Sequence, residues 1–482
     1  MAIRAFAAAA SALLLIALLP AAAGSAPYKV KDLRVLSGPS PFATGCPGAL
    51  FDETRIAGAE IEPAITVNPA DPRNIVATWQ QDVGRFASRS DLIGTSRNGG
   101  RSWKRVTIPG LSKCTGGTAD SASDPWVSAG RGGAVYFSGA NLFLTPEESF
   151  GANVASRSRD GGRSWSPLVT VAEPSPRVER AVVTADPGRP GYAYLVWWDR
   201  DPALIPPLDG TLQFARTTDG GRSWSRPKTI DLAPPNGFDQ SGEALVLPDG
   251  VLLIVFARLE VLPDGTFLNT LFATRSEDRG LTWSTPVKAV AQQVQPVADP
   301  ETGVALSNQD MTFHSATVAP DGNVYVAWDH DTAATTGTIE IAKSTDGGIS
   351  WSGPTPIAGV TAFAFEPAIA VDKHGTLGVI WYDHRNDRLG DVPLTTDVWF
   401  AQSRDGGGSW RQTHVAGPFD LRAAPSPTGF PRLGEYQGLA GLRRGFAAVF
   451  TQAAPQAKDG PTDIFFARIA PGDVDDEGED DR

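Results

Sequence analysis

The chain has 482 residues, a formal net charge of −12 and two cysteines. A chain this acidic lacks the clustered lysines and arginines that phosphate binding needs, so nucleic acid is excluded as a partner. Two cysteines are too few for a cysteine-rich zinc site, and the five histidines show no metal-ligand spacing.

Residues 1–26 are predicted to be a secretory signal peptide. Arg4 is followed by the apolar stretch AFAAAASALLLIALL, a break at Pro20 and the small residues AAAGSA, which favour cleavage after Ala23 or Ala26. A membrane anchor is the alternative, but the stretch is short for a span. We therefore expect a secreted protein, extracellular or periplasmic, without stable membrane insertion. In such a compartment Cys46 and Cys114 are expected to form one disulfide.

One eight-residue phrase, SRDGGRSW at 158–165, occurs six times with small changes. The copies are spaced by 62, 59, 59, 68 and 59 residues, which indicates a repeated structural unit. The acid or amide at the third position is Asn98, Asp160, Asp219, Asp278, Asp346 and Asp405.

A predicted β-hairpin alternates with each phrase, as in EPAITVNPADPRNIVATWQQD at 62–82. A third strand precedes the phrase and a fourth follows it, so each unit is a four-stranded meander. Seven units between 62 and 470 predict an all-β fold, a seven-bladed β-propeller of four-stranded antiparallel blades in one domain at 27–471. A six-bladed ring is the alternative. The segment YKVKDLRVL at 28–36 is expected to close blade seven as its outer strand. Residues 472–482 read as an acidic disordered tail.

The repeated phrases resemble the Asp boxes of BNR repeats, and the chain resembles the sialidase-like superfamily of propellers. An Asp box is specific for the fold and weakly specific for chemistry. Between strands three and four, its acid is expected to bond backbone N–H groups, and its tryptophan is expected to pack back between neighbouring sheets.

The meander places the starts of the first strands and the ends of the second strands at one mouth of the central channel, opposite the Asp boxes. The first strands are predicted to begin with Glu62, Asp124, Glu179, Glu243, His314, Glu366 and Glu435. The rim also holds Asp82, Asp329, Asp383, Arg385 and Arg432. Crowded carboxylates raise one another's pKa unless a cation lies among them, which predicts either an acid–base site or a bound calcium ion.

The resemblance implies a substrate clamp of three arginines, a tyrosine nucleophile paired with a glutamate, and an aspartate acid/base. The stretch LGEYQGL places Tyr436 beside Glu435 where such a tyrosine would lie. The family's first arginine lies in an Arg-Ile-Pro phrase, but the matching stretch here is IEPAI, and Arg55-Ile56 lies a few residues earlier without the proline. The catalytic candidates are Glu435, Tyr436, Glu62, Asp124, Glu366 and Asp383. The substrate-binding candidates are Glu179, Glu243, His314, Arg385, Arg432, Asp82 and Asp329.

Three functions fit this pattern. The first is a glycoside hydrolase that uses carboxylates at the channel mouth. The second is a propeller that binds a glycan or a protein without catalysis, and the third is an exo-sialidase. In each case we expect a monomer that binds a glycan or another small or extended extracellular ligand.

Overall fold

The computed structural model describes residues 27–472 except 86, 176–178, 201–208, 235, 265–266, 293–298, 300, 302–313, 334–335, 358–362 and 428. The predicted signal peptide and nearly all of the predicted acidic tail lie outside the described residues. The described residues form β-strands and three short 3₁₀ helices at Asp52–Thr54, Lys113–Thr115 and Leu421–Ala423. None of the helices within these ranges is long and apolar enough to cross a membrane.

The strands follow the predicted repeat, and we number the units in chain order. Unit one contains β2 (Glu60–Val67), β3 (Ile75–Gly84), β4 (Ala87–Ser96) and β5 (Lys104–Thr107). Unit two contains β6 (Ser121–Ala129), β7 (Val135–Leu144), β8 (Ser149–Ser158) and β9 (Val169–Thr170). Unit three contains β10 (Val182–Ala185), β11 (Ala193–Arg200), β12 (Asp209–Thr217) and β13 (Lys228–Leu232). Unit four contains β14 (Gly237–Val246), β15 (Leu252–Val261), β16 (Phe267–Ser276) and β17 (Val287–Gln292).

The remaining units have the same plan. Unit five contains β18 (His314–Val318), β19 (Val324–Ala333), β20 (Thr336–Ser344) and β21 (Thr355–Pro356). Unit six contains β22 (Ala364–Val371), β23 (Leu377–Asp383), β24 (Thr395–Ser403) and β25 (Arg411–Asp420). Unit seven contains β26 (Gly438–Gly441), β27 (Phe446–Ala453), β28 (Thr462–Pro471) and the N-terminal strand β1 (Tyr28–Val35).

The predicted role of the N-terminal strand is confirmed. β1 pairs antiparallel with β28, from Tyr28 opposite Pro471 to Val35 opposite Phe465. The last sheet therefore contains strands from both ends of the described chain. This pairing covers an edge that β28 would otherwise expose.

Hydrogen bonds connect the first strand of each unit, or the residues just before it, to the first strand of the next unit. Most use a side chain of one unit and the backbone of its neighbour. They run from Ala129 N to Thr66, Ala185 N to Ser128, Thr184 to Ala244 O, Ala316 N to Glu243, Ile369 N to Ser315 and Gln437 to Glu366 O. The Glu62 N–H donates to the carbonyl of Leu433, 3.3 Å away, and thereby connects unit seven to unit one.

The apolar core lies between neighbouring sheets. The second strands supply its largest fully buried side chains, including Trp79, Trp197, Trp328 and Trp381. Trp328 packs in one cluster with Leu253 and Val255 of the preceding unit, so a single core layer spans two sheets. Successive side chains of a strand point to opposite faces of its sheet, and both faces of an inner sheet meet a neighbouring sheet. Both sets of side chains therefore enter the core.

The repeated turns have the predicted hydrogen bonds. Asp160 Oδ1 accepts from the backbone N–H groups of Arg163 and Ser164 at 3.0 and 2.9 Å, and Oδ2 accepts from the Ser164 hydroxyl at 2.6 Å. The turns also pack against the neighbouring sheet. Trp103 meets Phe466 of unit seven, and Trp283 meets Phe214 of unit three, each edge to face at 5.1 Å.

Strand direction defines two faces of the molecule. We call the face that carries the starts of the first strands the upper face. The face that carries the turns between strands one and two and between strands three and four is the lower face. Any site built from first-strand starts therefore lies opposite the repeated turns.

Candidate active site on the upper face

Three acids occupy matching, unusual backbone positions. Glu62, Asp124 and Glu366 have φ values of 56°, 55° and 51°, and each precedes a proline. The first strand of each of these units bulges at that point, between 61 and 64, 123 and 126, and 365 and 368. A bulge re-aims a side chain at the end of a strand, and left-handed backbone at a residue with a Cβ is strained.

Glu62, Asp124 and Glu435 form the centre of the site, which we call the carboxyl cluster. Arg432 Nη2 lies 3.4 Å from Glu62 Oε1 and 3.5 Å from Glu435 Oε1, so one guanidinium nitrogen contacts both acids. Gln80 Nε2 donates to Glu62 Oε2 and to the Ser123 hydroxyl, 3.2 Å away. That hydroxyl donates to Asp124 Oδ1 at 3.1 Å, which connects the second acid to the first.

The three acids of the carboxyl cluster all have raised pKa values. Burial is the largest cause of the raised pKa of Glu62, and the charges of Glu435 and Asp124 add to it. Burial also raises the pKa of Asp124, although Ser123, Arg180 and Arg432 lower it in part. The pKa of Glu435 is raised by burial, and the charge of Asp124 adds to this effect, whereas Arg432 opposes it. Neighbouring carboxyls in such a site share protons because they cannot all ionise together.

Solvent access differs among the three acids. Glu62 is 1% exposed, whereas the Glu435 side chain is 24% exposed and Asp124 is half-buried. Beneath them Asp91 is fully buried, and its pKa is raised well above the ordinary value by burial and by the charge of Asp124. A ligand at this mouth could therefore contact Asp124 and Glu435, with Glu62 and Asp91 behind them.

Arg180 also lies at the carboxyl cluster, although it was not among the candidates predicted from the sequence. Its guanidinium carbon lies 5.0 Å from the ring centre of Tyr436 and 5.5 Å from that of Trp126, within cation–π range. It is 5% exposed, and its charge lowers the pKa of Asp124, Glu243 and Glu435. Glu179 was the predicted candidate at this position, but its neighbour Arg180 is the residue whose side chain lies at the carboxyl cluster.

Tyr436 adjoins the carboxyl cluster, and its hydroxyl is already hydrogen bonded. It donates to the carbonyl of Pro125 at 3.2 Å, and its ring packs against Trp126 at 5.3 Å. Burial raises its pKa well above the ordinary value, and the charges of Glu62 and Asp124 add to this effect. The phenol is therefore held neutral in the free protein.

Three candidates on the rim make local structural contacts. Asp82 is fully buried and accepts from the Gly58 N–H at 2.8 Å, the Ser40 hydroxyl at 2.6 Å and Arg89 Nη1 at 3.0 Å. Asp383 is also fully buried. Its Oδ2 accepts from the Trp381 indole at 3.0 Å and from Arg385 Nε at 2.8 Å, which orients a core tryptophan. Arg385 also stacks on Trp399, 3.9 Å from its ring centre.

The other candidates lie in units four and five. Glu243 Oε2 accepts from the Ala316 N–H at 2.8 Å, and burial raises the pKa of Glu243 to about 7. His314 is buried with Nε2 3.2 Å from the carbonyl of Val255, and burial lowers its pKa to about 3, so it is neutral. Burial raises the pKa of Asp329 to about 7.

Glu179 and Glu366 are the last two candidates. Glu179 is half-buried at the start of unit three, and its N–H donates to the carbonyl of Trp198. Glu366 is 6% exposed, and its charge is the second cause of the raised pKa of Tyr382, after burial.

The predicted disulfide is confirmed and lies beside unit one. Cys46 and Cys114 are bonded, with their Cα atoms 4.9 Å apart. Arg55 lies in the loop enclosed by this bridge, where it donates to the carbonyl of Phe51 and to the Ser121 hydroxyl. It therefore supports a loop, and the cations at the carboxyl cluster are Arg180 and Arg432. Within the described ranges no three acids, histidines or cysteines converge so as to hold a metal ion.

Comparison with solved structures finds distant likenesses over most of the chain. A protein of unknown function from Dyadobacter fermentans matches at 12% identity with a TM-score of 0.49, over 92% of this chain and 99% of its own. A Hadza microbial sialidase matches at 15% identity with a TM-score of 0.46, over 82% of this chain and 76% of its own. An α-L-arabinofuranosidase from Fusarium graminearum matches at 12% identity with a TM-score of 0.46, over 72% of this chain and 93% of its own. A scan of protein-family models found no match.

Proposed function

We propose that this protein is a glycoside hydrolase whose reaction takes place at the carboxyl cluster, with Glu435 as general acid and Asp124 as the opposing carboxylate. Glycosidic cleavage needs one carboxyl that holds a proton and one that is ionised, within reach of the same bond. Ser123, Arg180 and Arg432 all favour the ionised form of Asp124. Burial and the charge of Asp124 favour the proton on Glu435, against the opposing charges of Arg432 and Arg180. Both side chains reach solvent.

The observation that carries the proposal is the position of Arg432. Its Nη2 contacts Glu62 and Glu435 at once, so acids from units one and seven share a single positive charge. Arg89, Arg258 and Arg422 each contact two acids as well. Arg432 differs because a third carboxyl, that of Asp124, adjoins its two acids, and all three acids have raised pKa values. Excess carboxyls in a partly exposed cluster are typical of a site that moves protons.

The proposal is tested by kinetics on a panel of aryl and unactivated glycosides, with and without calcium. Glu435→Gln is expected to lower kcat on unactivated glycosides by about 10²–10⁴-fold, because the leaving group loses its proton donor. Aryl glycosides with good leaving groups need less acid assistance, so their loss is smaller. Asp124→Asn is expected to lower activity on both classes.

Glu60→Gln is the matched control. Glu60 lies on the same strand as Glu62 and is also buried, but its Oε2 accepts from the Ile464 N–H at 3.1 Å, away from the carboxyl cluster. We expect this variant to keep its activity. Equal losses in Glu60→Gln and Glu435→Gln, or full activity in Glu435→Gln on unactivated glycosides, would contradict the proposed roles.

The fold proposal that accompanies this function is a seven-bladed propeller with BNR-type Asp boxes, secreted after removal of residues 1–26. The seven four-stranded units and their hydrogen-bonded first strands support the blade count. The mass of the exported chain tests the cleavage site, and its elution volume tests whether it is a monomer.

Glycan binding without catalysis is the second candidate function, and the aromatic wall of the site favours it. Trp126 and Tyr436 flank Arg180, and a half-buried indole next to polar groups can stack on a sugar ring. Binding without turnover across the panel would support it. An exo-sialidase remains the third, and it predicts that Tyr436→Phe stops the cleavage of sialosides.

A further inference from the structure

Two depressions open on the lower face, away from the carboxyl cluster. The larger, of about 710 Å³, is lined by the turns between strands one and two of units one to six. The smaller, of about 290 Å³, lies between units six and seven and is lined by Tyr28 and Pro471 among others. Asp372 lines both depressions, so they adjoin each other.

Exposed cations surround both depressions. Arg404 and Arg444 line the smaller one, and Arg131, Arg189 and Lys373 line the larger one. All five side chains are exposed. Arg404 also lies over the Tyr28 ring, 5.6 Å from its centre.

The acids of this region are engaged by their own turns. Asp372 Oδ1 accepts from the N–H groups of His374 and Thr376, each at 2.9 Å, and its Oδ2 is 3.3 Å from the Tyr28 hydroxyl. Asp186 accepts from the Tyr194 hydroxyl and the Gly188 N–H, both at 2.8 Å. Asp249 accepts from the Val251 N–H at 3.0 Å. The three acids that line the depressions are therefore hydrogen bonded within their own units, and five exposed cations lie around them.

The C-terminal segment provides a ligand of the opposite charge. Residues 473–482, DVDDEGEDDR, hold seven acids and one arginine. The segment follows directly on Gly472, next to Pro471 in the lining of the smaller depression. Ten residues can extend over roughly 30 Å, which is enough to cross the smaller depression and enter the larger one.

We propose that residues 473–482 bind to this cationic lower face, with their carboxylates on Arg404, Arg444 and Lys373. Carboxylate–guanidinium contacts are charge-assisted hydrogen bonds. The covalent attachment at Gly472 raises the effective concentration of the segment to the millimolar range, so weak individual contacts suffice. The interaction is electrostatic and must weaken as salt rises.

The experiment uses a fluorescent synthetic peptide with the sequence of residues 473–482 and the full chain in two forms. One form has the natural tail. The other has all seven tail acids replaced by Asn or Gln, so that the lower face is no longer occupied by its own tail. Fluorescence anisotropy at about 20 mM salt is expected to show at least tenfold tighter peptide binding to the second form. Arg444→Ala with Lys373→Ala in that form is expected to weaken binding at least tenfold.

Arg163→Ala with Arg226→Ala is the matched control, because both side chains are exposed cations outside the depressions. This pair is expected to change peptide affinity less than twofold. The proposal is overturned if the two forms bind the peptide equally, if neither binds it at low salt, or if the control pair weakens binding as much as the test pair. Arg404 is left unchanged because its contact with Tyr28 supports the last sheet.

Discussion

The repeated turn of unit four differs from the other five at one backbone position, and the difference predicts a stabilising substitution. Five turns place glycine there with φ between 70° and 76°, as at Gly161 and Gly220. Unit four has Arg279 at this position, with φ of 60°. Left-handed backbone costs a residue with a Cβ about 1–2 kcal/mol, and glycine avoids this cost.

We expect Arg279→Gly to raise the free energy of unfolding by about 0.5–1 kcal/mol. The relieved strain is offset by about 0.4–1 kcal/mol, because glycine gains freedom in the unfolded chain. The Arg279 carbonyl accepts from Arg216 Nη1 at 2.6 Å, and this backbone contact is available to glycine as well. Urea unfolding at constant m-value measures the change.

Arg279→Ala separates the backbone effect from the effect of charge. Alanine removes the guanidinium but keeps the Cβ, so this variant is expected to gain no stability. If Arg279→Ala stabilises the protein as much as Arg279→Gly does, or if the glycine variant is less stable than the parent, the strain argument is wrong.

Three further predictions concern stability. Asp160→Ala is expected to lose about 1–3 kcal/mol of unfolding free energy, whereas Asp160→Asn should lose less than about 1 kcal/mol. Asn98 already occupies the equivalent position in unit one, where its Oδ1 accepts from the Ser102 N–H at 2.9 Å. Equal losses for the alanine and asparagine variants in a melting experiment would contradict the role of Asp160 in the turn. Burial raises the pKa of Glu243 to about 7 in the folded protein, above its value in the unfolded chain. The stability that protonated Glu243 contributes is therefore fully present below about pH 4.5 and is lost as the pH rises through 7. Over this pH range the parent should lose up to about 3 kcal/mol of unfolding free energy relative to Glu243→Gln. Parallel curves of stability against pH for the two proteins would refute this prediction. Replacing both Cys46 and Cys114 by alanine opens a loop with a sequence separation of 68 and should cost about 4 kcal/mol in urea unfolding; an unchanged midpoint would show that the bridge constrains little.

The repeat made much of the fold predictable. Spacing and turn chemistry are local properties, so the four-stranded units, the turn hydrogen bonds and the pairing of β1 with β28 could be inferred. The contacts of the carboxyl cluster could not be inferred in the same way. The bulge at Glu62 shifts the register of its strand by a residue, and no local pattern indicates which side chains then face the channel.

The partners of single residues were the least predictable part. Asp82 and Asp383 are acids at the ends of second strands, as expected, yet arginines and backbone N–H groups close to each occupy their oxygens. Arg180 was overlooked because the adjacent Glu179 fitted the expected pattern of acids at the starts of the first strands. Which neighbour faces the channel depends on contacts between units that are far apart in the sequence.

The sheet that contains both β1 and β28 has a consequence for the order of biosynthesis. Ile464 N donates to the Ser37 hydroxyl at 3.0 Å across a sequence separation of 427 residues. The ribosome must therefore make almost the whole described chain before the N-terminal strand has its partner. Pairings this remote form slowly, so closure is expected to be the last and slowest folding step, with β1 exposed to chaperones and proteases until then.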